Sequence, residues 1–146
     1  VTVQPPAPRP CASCPYRTDV PAGVWAASEY AKLGAYDEPT HLQPAGLFLC
    51  HQTDHDDERA RVCSGWAGCH DMDESMALRV AAVSGEISAE AVQTVRDYVS
   101  PVPLFASGTQ AAAHGMSGIE EPGEDARRVI RKIERTRTDL TTGKEG

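Results

Sequence analysis

The sequence predicts a single small domain, mainly α, with an irregular, cysteine-rich N-terminal half and at most a short strand or hairpin. Three observations carry this expectation. All five cysteines lie between Cys11 and His70, among prolines and glycines and without a helical or alternating period. From Asp71 onward, capping residues and apolar positions at helical spacing recur. Only the run 45–50 (Ala-Gly-Leu-Phe-Leu-Cys) reads as a strand, being short, apolar and bounded by turn signals. A chain of 146 residues suits one core rather than two, and it carries no internal repeat.

Taken in order, residues 1–10 hold four prolines and should form an extended lead-in of polyproline II character. Pro21 suits a helix start, so 22–33 reads as a short helix ending at Leu33 before Gly34. Pro39 to Pro44 is a turn region, and the strand 45–50 ends on Cys50. The acidic stretch 54–58 reads as a solvated loop, because it lacks the glycine and spaced carboxylates of a calcium loop. Asp71 with Glu74 fits a capping box, followed by an apolar stripe of Met72, Met76, Val80 and Val83 and closed by Gly85. Ser88 caps the next helix, with Ile87 and Val92 as a hydrophobic staple and Val92, Val95 and Val99 as its stripe. Ser107 and Gln110 cap a short helix over 110–114 that Gly115 closes. A last helix over 124–138 turns Ala126, Ile130 and Ile133 inward. The domain thus runs over 11–138, with 11–70 as its cysteine half, 71–138 as its helical half and 139–146 as a flexible tail.

Composition narrows the function classes. The net charge of −7 argues against bulk attraction to nucleic acid or acidic lipid. The apolar share is 40% and the aromatic residues number eight, so the core is thin and a bound metal would serve as a staple. The first residues lack the basic and apolar regions of a secretory signal, and no run reaches the length of a membrane span. The chain begins on Val1 where Met is usual, which points to an alternative start codon or a trimmed chain. A cytoplasmic protein is expected. In a reducing cytosol five cysteines do not suggest a disulfide framework, and an odd number cannot all pair within one chain.

Chemistry therefore rests on the cysteines. Cys11 and Cys14 have the two-residue gap that lets both thiolates face one ion. A dithiol redox motif should follow a strand and open a helix, whereas here Pro10 precedes the pair and Pro15 follows it. Cys50 and Cys63 supply the third and fourth thiolates, giving C-x2-C-x35-C-x12-C. One close pair with two scattered cysteines, and proline after a ligand, resembles the iron–sulfur ligation of some cluster-bearing DNA glycosylases in spacing. Thiolate suits zinc as well. An iron–sulfur cluster is the expected cofactor, with zinc the alternative. Cys69, His51 and His70 are reserve ligands. The Cys63-to-Cys69 gap resembles the final pair of WhiB-like regulators, but the CxxC lies far upstream and that family is not assigned. Gly65 and Gly68 would let backbone approach the centre closely. Tyr16 and Arg17 should pack over the thiolates, with Arg17 offsetting their charge. Trp25 and Trp66 read as core, and His41, His55 and His114 as structural or exposed.

Residues 9–17 (RPCASCPYR) and 19–25 (DVPAGVW), together with FLCHQ at 48–52, CSGW at 63–66 and PLFASG at 103–108, form a specific set of motifs. Over most of 9–135 the chain resembles a family of small cysteine-motif proteins from actinobacteria and their phages, catalogued as a domain of unknown function. The resemblance implies such an origin and supports Cys11, Cys14, Cys50 and Cys63 as the principal set. It supplies no activity.

Arg127, Arg128, Arg131, Lys132, Arg135 and Arg137 crowd the last helix, with Glu124 and Arg128 spaced as a favourable pair. The expected reading is a solvated amphipathic helix, with a nucleic-acid contact through these residues as the alternative. No triad, phosphate loop or paired-carboxylate signature marks an enzyme. The expected function is a metal-binding module with a regulatory or redox-sensing role and an unidentified protein partner. The alternatives are a zinc-stabilised domain that binds protein or nucleic acid, and a dithiol or electron-transfer enzyme.

Overall fold

The computed structural model describes residues 2–50 and 59–136. The acidic stretch 54–58, His51, His55, Arg137 and the tail lie outside the described residues. The helices are α1 (Ala27–Tyr30), α2 (Ser64–Cys69), α3 (Met76–Ser84), α4 (Ala89–Asp97), α5 (Gly108–Met116) and α6 (Glu124–Thr136). Three 3-10 turns add Gly34–Asp37, Thr40–Leu42 and Met72–Glu74. Among the described residues no sheet forms. Isolated bridges instead join Gln4 to Arg61, Arg17 to Leu104 and Leu49 to Val62. The fold is mainly helical, as expected.

The helix expected over 22–33 shrinks to α1. Gly23 takes φ +83°, a left-handed conformation that no helix can start from, and the helix begins only after Ala26. The strand expected over 45–50 shrinks to the Leu49–Val62 bridge, framed by Cys50 N–H to Arg61 O at 2.9 Å and Cys63 N–H to Phe48 O at 2.9 Å. Upstream of this rung the Tyr36 hydroxyl donates to Gly46 O at 2.7 Å, so that carbonyl is used outside any ladder. The extended lead-in is strapped down: Val3 N–H reaches Glu86 O and Gln4 N–H reaches Ala60 O, each at 2.8 Å.

In the helical half the caps are as expected more often than the stripes. Ser75, not Asp71, caps α3 by accepting from Leu78 N–H at 3.2 Å, while Asp71 caps only the 3-10 turn before it. That displaced start turns Ala77, Leu78 and Ala81 inward and leaves Val80 41% and Val83 90% exposed. Of the expected stripe Met72 is buried and Met76 half-buried, and it fails at Val80 and Val83. Gly85 closes α3 at φ +80° as anticipated. Ser88 caps α4 through Ala91 N–H at 3.1 Å, and Ile87 and Val95 are buried. Val99 is exposed because α4 ends at Asp97. Ser107 caps α5 through Gln110 N–H, but the helix runs past Gly115. A Cβ at Gly115 would collide with the Tyr30 ring, so this glycine permits a helix contact rather than ending the helix. On α6, Ala126 and Ile133 are buried and Ile130 half-buried. In place of a Glu124–Arg128 pair, Arg128 binds Asp125 and Arg131 lies 3.9 Å from Glu124.

A single core joins both halves, with Tyr16, Trp25, Tyr30, Leu33, Trp66, Leu78 and Val95 among its buried residues. Asp37 fastens them together from the outside. Its carboxylate accepts from Gly108 N–H at 2.8 Å and from Thr109 N–H and Oγ1, each at 2.7 Å, and so caps α5 from across the fold. Its Oδ1 also lies 3.0 Å from His70 Nε2. Partial burial opposes its ionised form, but the Thr109 and Gly108 hydrogen bonds and His70 outweigh it and hold the carboxyl below its ordinary value of 3.8.

Because the folded-state pKa lies below the unfolded one, Asp37 stabilises the protein fully above the ordinary carboxylate value. That contribution disappears as pH falls through the lowered folded value. Asp37→Ala should lower stability by about 2 kcal/mol at neutral pH, with a smaller loss at about pH 2.5, measured as urea midpoints.

Candidate metal centre

The CxxC loop is built from two consecutive turns, with Cys14 N–H bonded to Cys11 O at 3.0 Å and Arg17 N–H to Cys14 O at 3.1 Å. The Trp25 indole N–H donates to Ser13 O at 2.9 Å, which pins the loop to the core. Phe105 N–H donates to Tyr16 O at 2.9 Å, so the PLFASG segment is laced onto the CPYR segment. Cys63 is the residue that caps α2, and it follows the Leu49–Val62 bridge that also places Cys50.

These supports bring the sulfurs of Cys14 and Cys63 to 3.9 Å. Cys11 Sγ lies 3.8 Å from Ser13 Oγ, and its thiol is close enough to those of Cys14 and Cys50 to interact with them. Cys14 and Cys63 are buried, while Cys11 and Cys50 lie at the margin. Among the described residues no group of three or more His, Cys, Asp or Glu closes to the spacing of a single ion's shell. The neighbouring Cys14 and Cys50 thiols outweigh burial and lower the Cys11 pKa below its ordinary value, while Cys14 is pushed well above its own by Cys11, Cys63 and burial. The Trp66 backbone N–H points at Cys63 Sγ from 3.5 Å.

Two buried thiols, one backbone N–H directed at a sulfur and a glycine at the point of closest approach meet here. A Cβ at Gly65 would collide with Cys14 Sγ and come within 2.9 Å of Tyr16 Cβ. Gly68, the other glycine of this segment, instead faces Leu104 and Tyr98. Arg17 donates to Asp19 at 2.7 and 2.8 Å and to Pro10 O at 3.0 Å, so its charge is divided between Asp19 and the thiols. Tyr16 is fully buried, and among the described residues its hydroxyl, like the Trp66 indole N–H, has no hydrogen-bond partner.

The reserve residues are placed differently. Cys69 lines a separate cleft of about 280 Å³ with Asp37 and His70. Burial, with Asp37 and Cys63 nearby, pushes its thiol up to about 12. His70 has Nδ1 at 3.0 Å from Trp66 O and Nε2 on Asp37, so both nitrogens are engaged away from the four sulfurs. His114 holds Val20 O at 2.9 Å and packs at a tilt against Phe105, and His41 is exposed. On α6, Arg127, Arg128, Arg131, Lys132 and Arg135 are all exposed. Asp37 was not singled out by the sequence reading. Its only local signal is an acidic residue before Glu38-Pro39, which does not reveal a partner at Thr109.

Gly65→Ala should cost about 2 kcal/mol through overpacking between Cys14 and Tyr16. Gly46→Ala, whose Cβ would meet nothing within 4 Å, should change stability by less than about 0.5 kcal/mol. Thermal or urea unfolding of the two variants measures the contrast.

No curated protein and no solved structure matches this chain. A family model described as a family of unknown function matches residues 6–137, which takes in the CxxC loop, the bridge, α2 and nearly all of the helical half. With its lacing of Cys11, Cys14, Cys50 and Cys63 inside that span, the chain belongs to the family of unknown function DUF6283.

Proposed function

We propose that this protein is a small metal-binding module in which Cys11, Cys14, Cys50 and Cys63 hold an iron–sulfur cluster, with a regulatory or redox-sensing role. The observation that carries the reading is the 3.9 Å separation of the Cys14 and Cys63 sulfurs. Two thiolates on one tetrahedral metal, with bonds of about 2.3 Å, lie about 3.8 Å apart. That edge suits a zinc ion and equally one iron of a cluster. The cysteine spacing, one close pair with two scattered cysteines and a proline directly after a cysteine, favours the cluster. Zinc is the alternative occupant.

When bound, a cluster supplies a one-electron redox couple whose potential follows hydrogen bonds to sulfur and solvent exposure. The chain has both levers. The Trp66 N–H and the buried Cys14 and Cys63 lie on the inner side, and the half-exposed Cys11 and Cys50 lie on the outer side. The metal would also act as a staple, tying the CxxC loop to segments 36 and 49 residues along the chain from Cys14.

Anaerobically purified protein should be brown and contain iron and acid-labile sulfide. Cys14→Ser and Cys50→Ser should lose the metal and unfold the N-terminal half, whereas Cys69→Ser should keep both. A colourless protein with one zinc selects the alternative. A folded, metal-free protein whose cysteine variants keep full stability would overturn both.

A further inference from the structure

Cys14 and Cys63 are the two buried cysteines, at 1% and 3% exposure, and their sulfurs stand 3.9 Å apart. Sulfurs at that distance touch, and a disulfide needs them to close to about 2 Å. Both segments are held for such a closure. The Trp25 indole fixes Ser13 O beside Cys14, and Cys63 N–H is anchored on Phe48 O at 2.9 Å. Gly65 keeps the space beside Cys14 Sγ free of any Cβ. Cys11 offers the way in from outside. It is half-buried at the margin, and the turn closed by Cys14 N–H to Cys11 O at 3.0 Å brings the two ends of the CxxC within disulfide reach.

We infer that Cys14 and Cys63 form a reversible disulfide when a peroxide reaches Cys11, which makes the pair an oxidative modification site with Cys11 as the first thiol to react. The Cys11 sulfur attacks one oxygen of hydrogen peroxide and becomes the sulfenic acid, while the other oxygen takes up the thiol proton and leaves as water. The Cys14 thiol displaces the sulfenic hydroxyl as a second water and forms a Cys11–Cys14 disulfide. The Cys63 thiol then attacks the Cys14 sulfur, and its proton passes to the departing Cys11. In sum, two thiols give up two electrons and two protons, peroxide becomes two waters, and Cys11 ends as it began. The inner bond is the lasting one. Both its sulfurs are buried away from reductants, and it ties segments 49 residues apart rather than neighbours in one turn. The inference needs no metal. A metal held by these thiols is released as the bond forms, because a disulfide sulfur is no longer a thiolate ligand.

The plain alternative is that the two thiols only pack against each other. Titration of the full chain as isolated with hydrogen peroxide separates the two, with metal content, free thiols and urea midpoint followed throughout. Peptide mapping without reduction should find Cys14 joined to Cys63, and dithiothreitol should restore both thiols. The oxidised chain should unfold at higher urea than the reduced, metal-free chain. Cys11→Ser should slow formation of the bond at least about tenfold, and Cys69→Ser should leave its rate unchanged. Cys63→Ala should accumulate the Cys11–Cys14 disulfide instead, with circular dichroism checking that it is folded. Protein isolated without metal that forms the Cys14–Cys63 bond would support the inference while removing the metal reading. A wild-type product that stops at Cys11–Cys14, joins Cys11 to Cys50 or links two chains would overturn it. So would sulfinic acid at Cys11 with Cys14 and Cys63 still free, or an unchanged rate in Cys11→Ser.

Discussion

The approach of Cys14 and Cys63, 49 residues apart in sequence, is the contact on which the N-terminal half depends. Two buried thiols at 3.9 Å leave no room for a side chain between their segments, and Gly65 stands where any Cβ would strike Cys14. Everything nearby serves that closeness. The Trp25 indole holds the CxxC loop, the Leu49–Val62 bridge delivers Cys63 to the start of α2, and Phe105 laces the far half onto Tyr16. Little of this half is regular helix or sheet. Its order comes from long-range hydrogen bonds and sulfur contacts, which a thin core could not replace.

The aromatic residues concentrate around the same point. Tyr16 packs edge-on against Phe48 and His70, and Tyr36 against Phe48 and Trp66, with centroid separations of 5.5 to 5.9 Å. Such a cluster excludes water from the inner sulfurs while leaving the outer ones half-exposed. Asp37 closes the other side of this packing by joining His70 to the start of α5. The thiol site and the helical half therefore share one core, which does not divide at residue 70.

Caps were the most legible feature of the sequence, because a cap is a local chemical event. Ser88 and Ser107 each satisfy a backbone N–H three residues on, and Gly85 supplies the left-handed turn that ends α3. Stripes were less legible, because they inherit any error in where a helix begins. Shifting the start of α3 from Asp71 to Ser75 moved burial from Val80 and Val83 to Ala77 and Ala81. The 45–50 strand and the 22–33 helix failed for a different reason. Tertiary demands, a one-rung bridge before Cys63 and a left-handed Gly23 against Gly118, overrode local preference. Cysteine spacing carries no order in space: that Cys14 meets Cys63 across 49 residues follows from backbone routes no spacing rule contains. The role of Asp37 was invisible for the same reason, its partners coming from distant segments.

If Cys11, Cys14, Cys50 and Cys63 hold a metal centre, its ligands can be counted directly. X-ray absorption at the edge of the metal that copurifies with the wild-type chain is the most direct test. Four sulfurs at about 2.3 Å per metal is the expected shell, with a further metal–metal scatterer if the centre is a cluster. A shell dominated by nitrogen or oxygen, or a folded protein with no stoichiometric metal at all, would contradict the account.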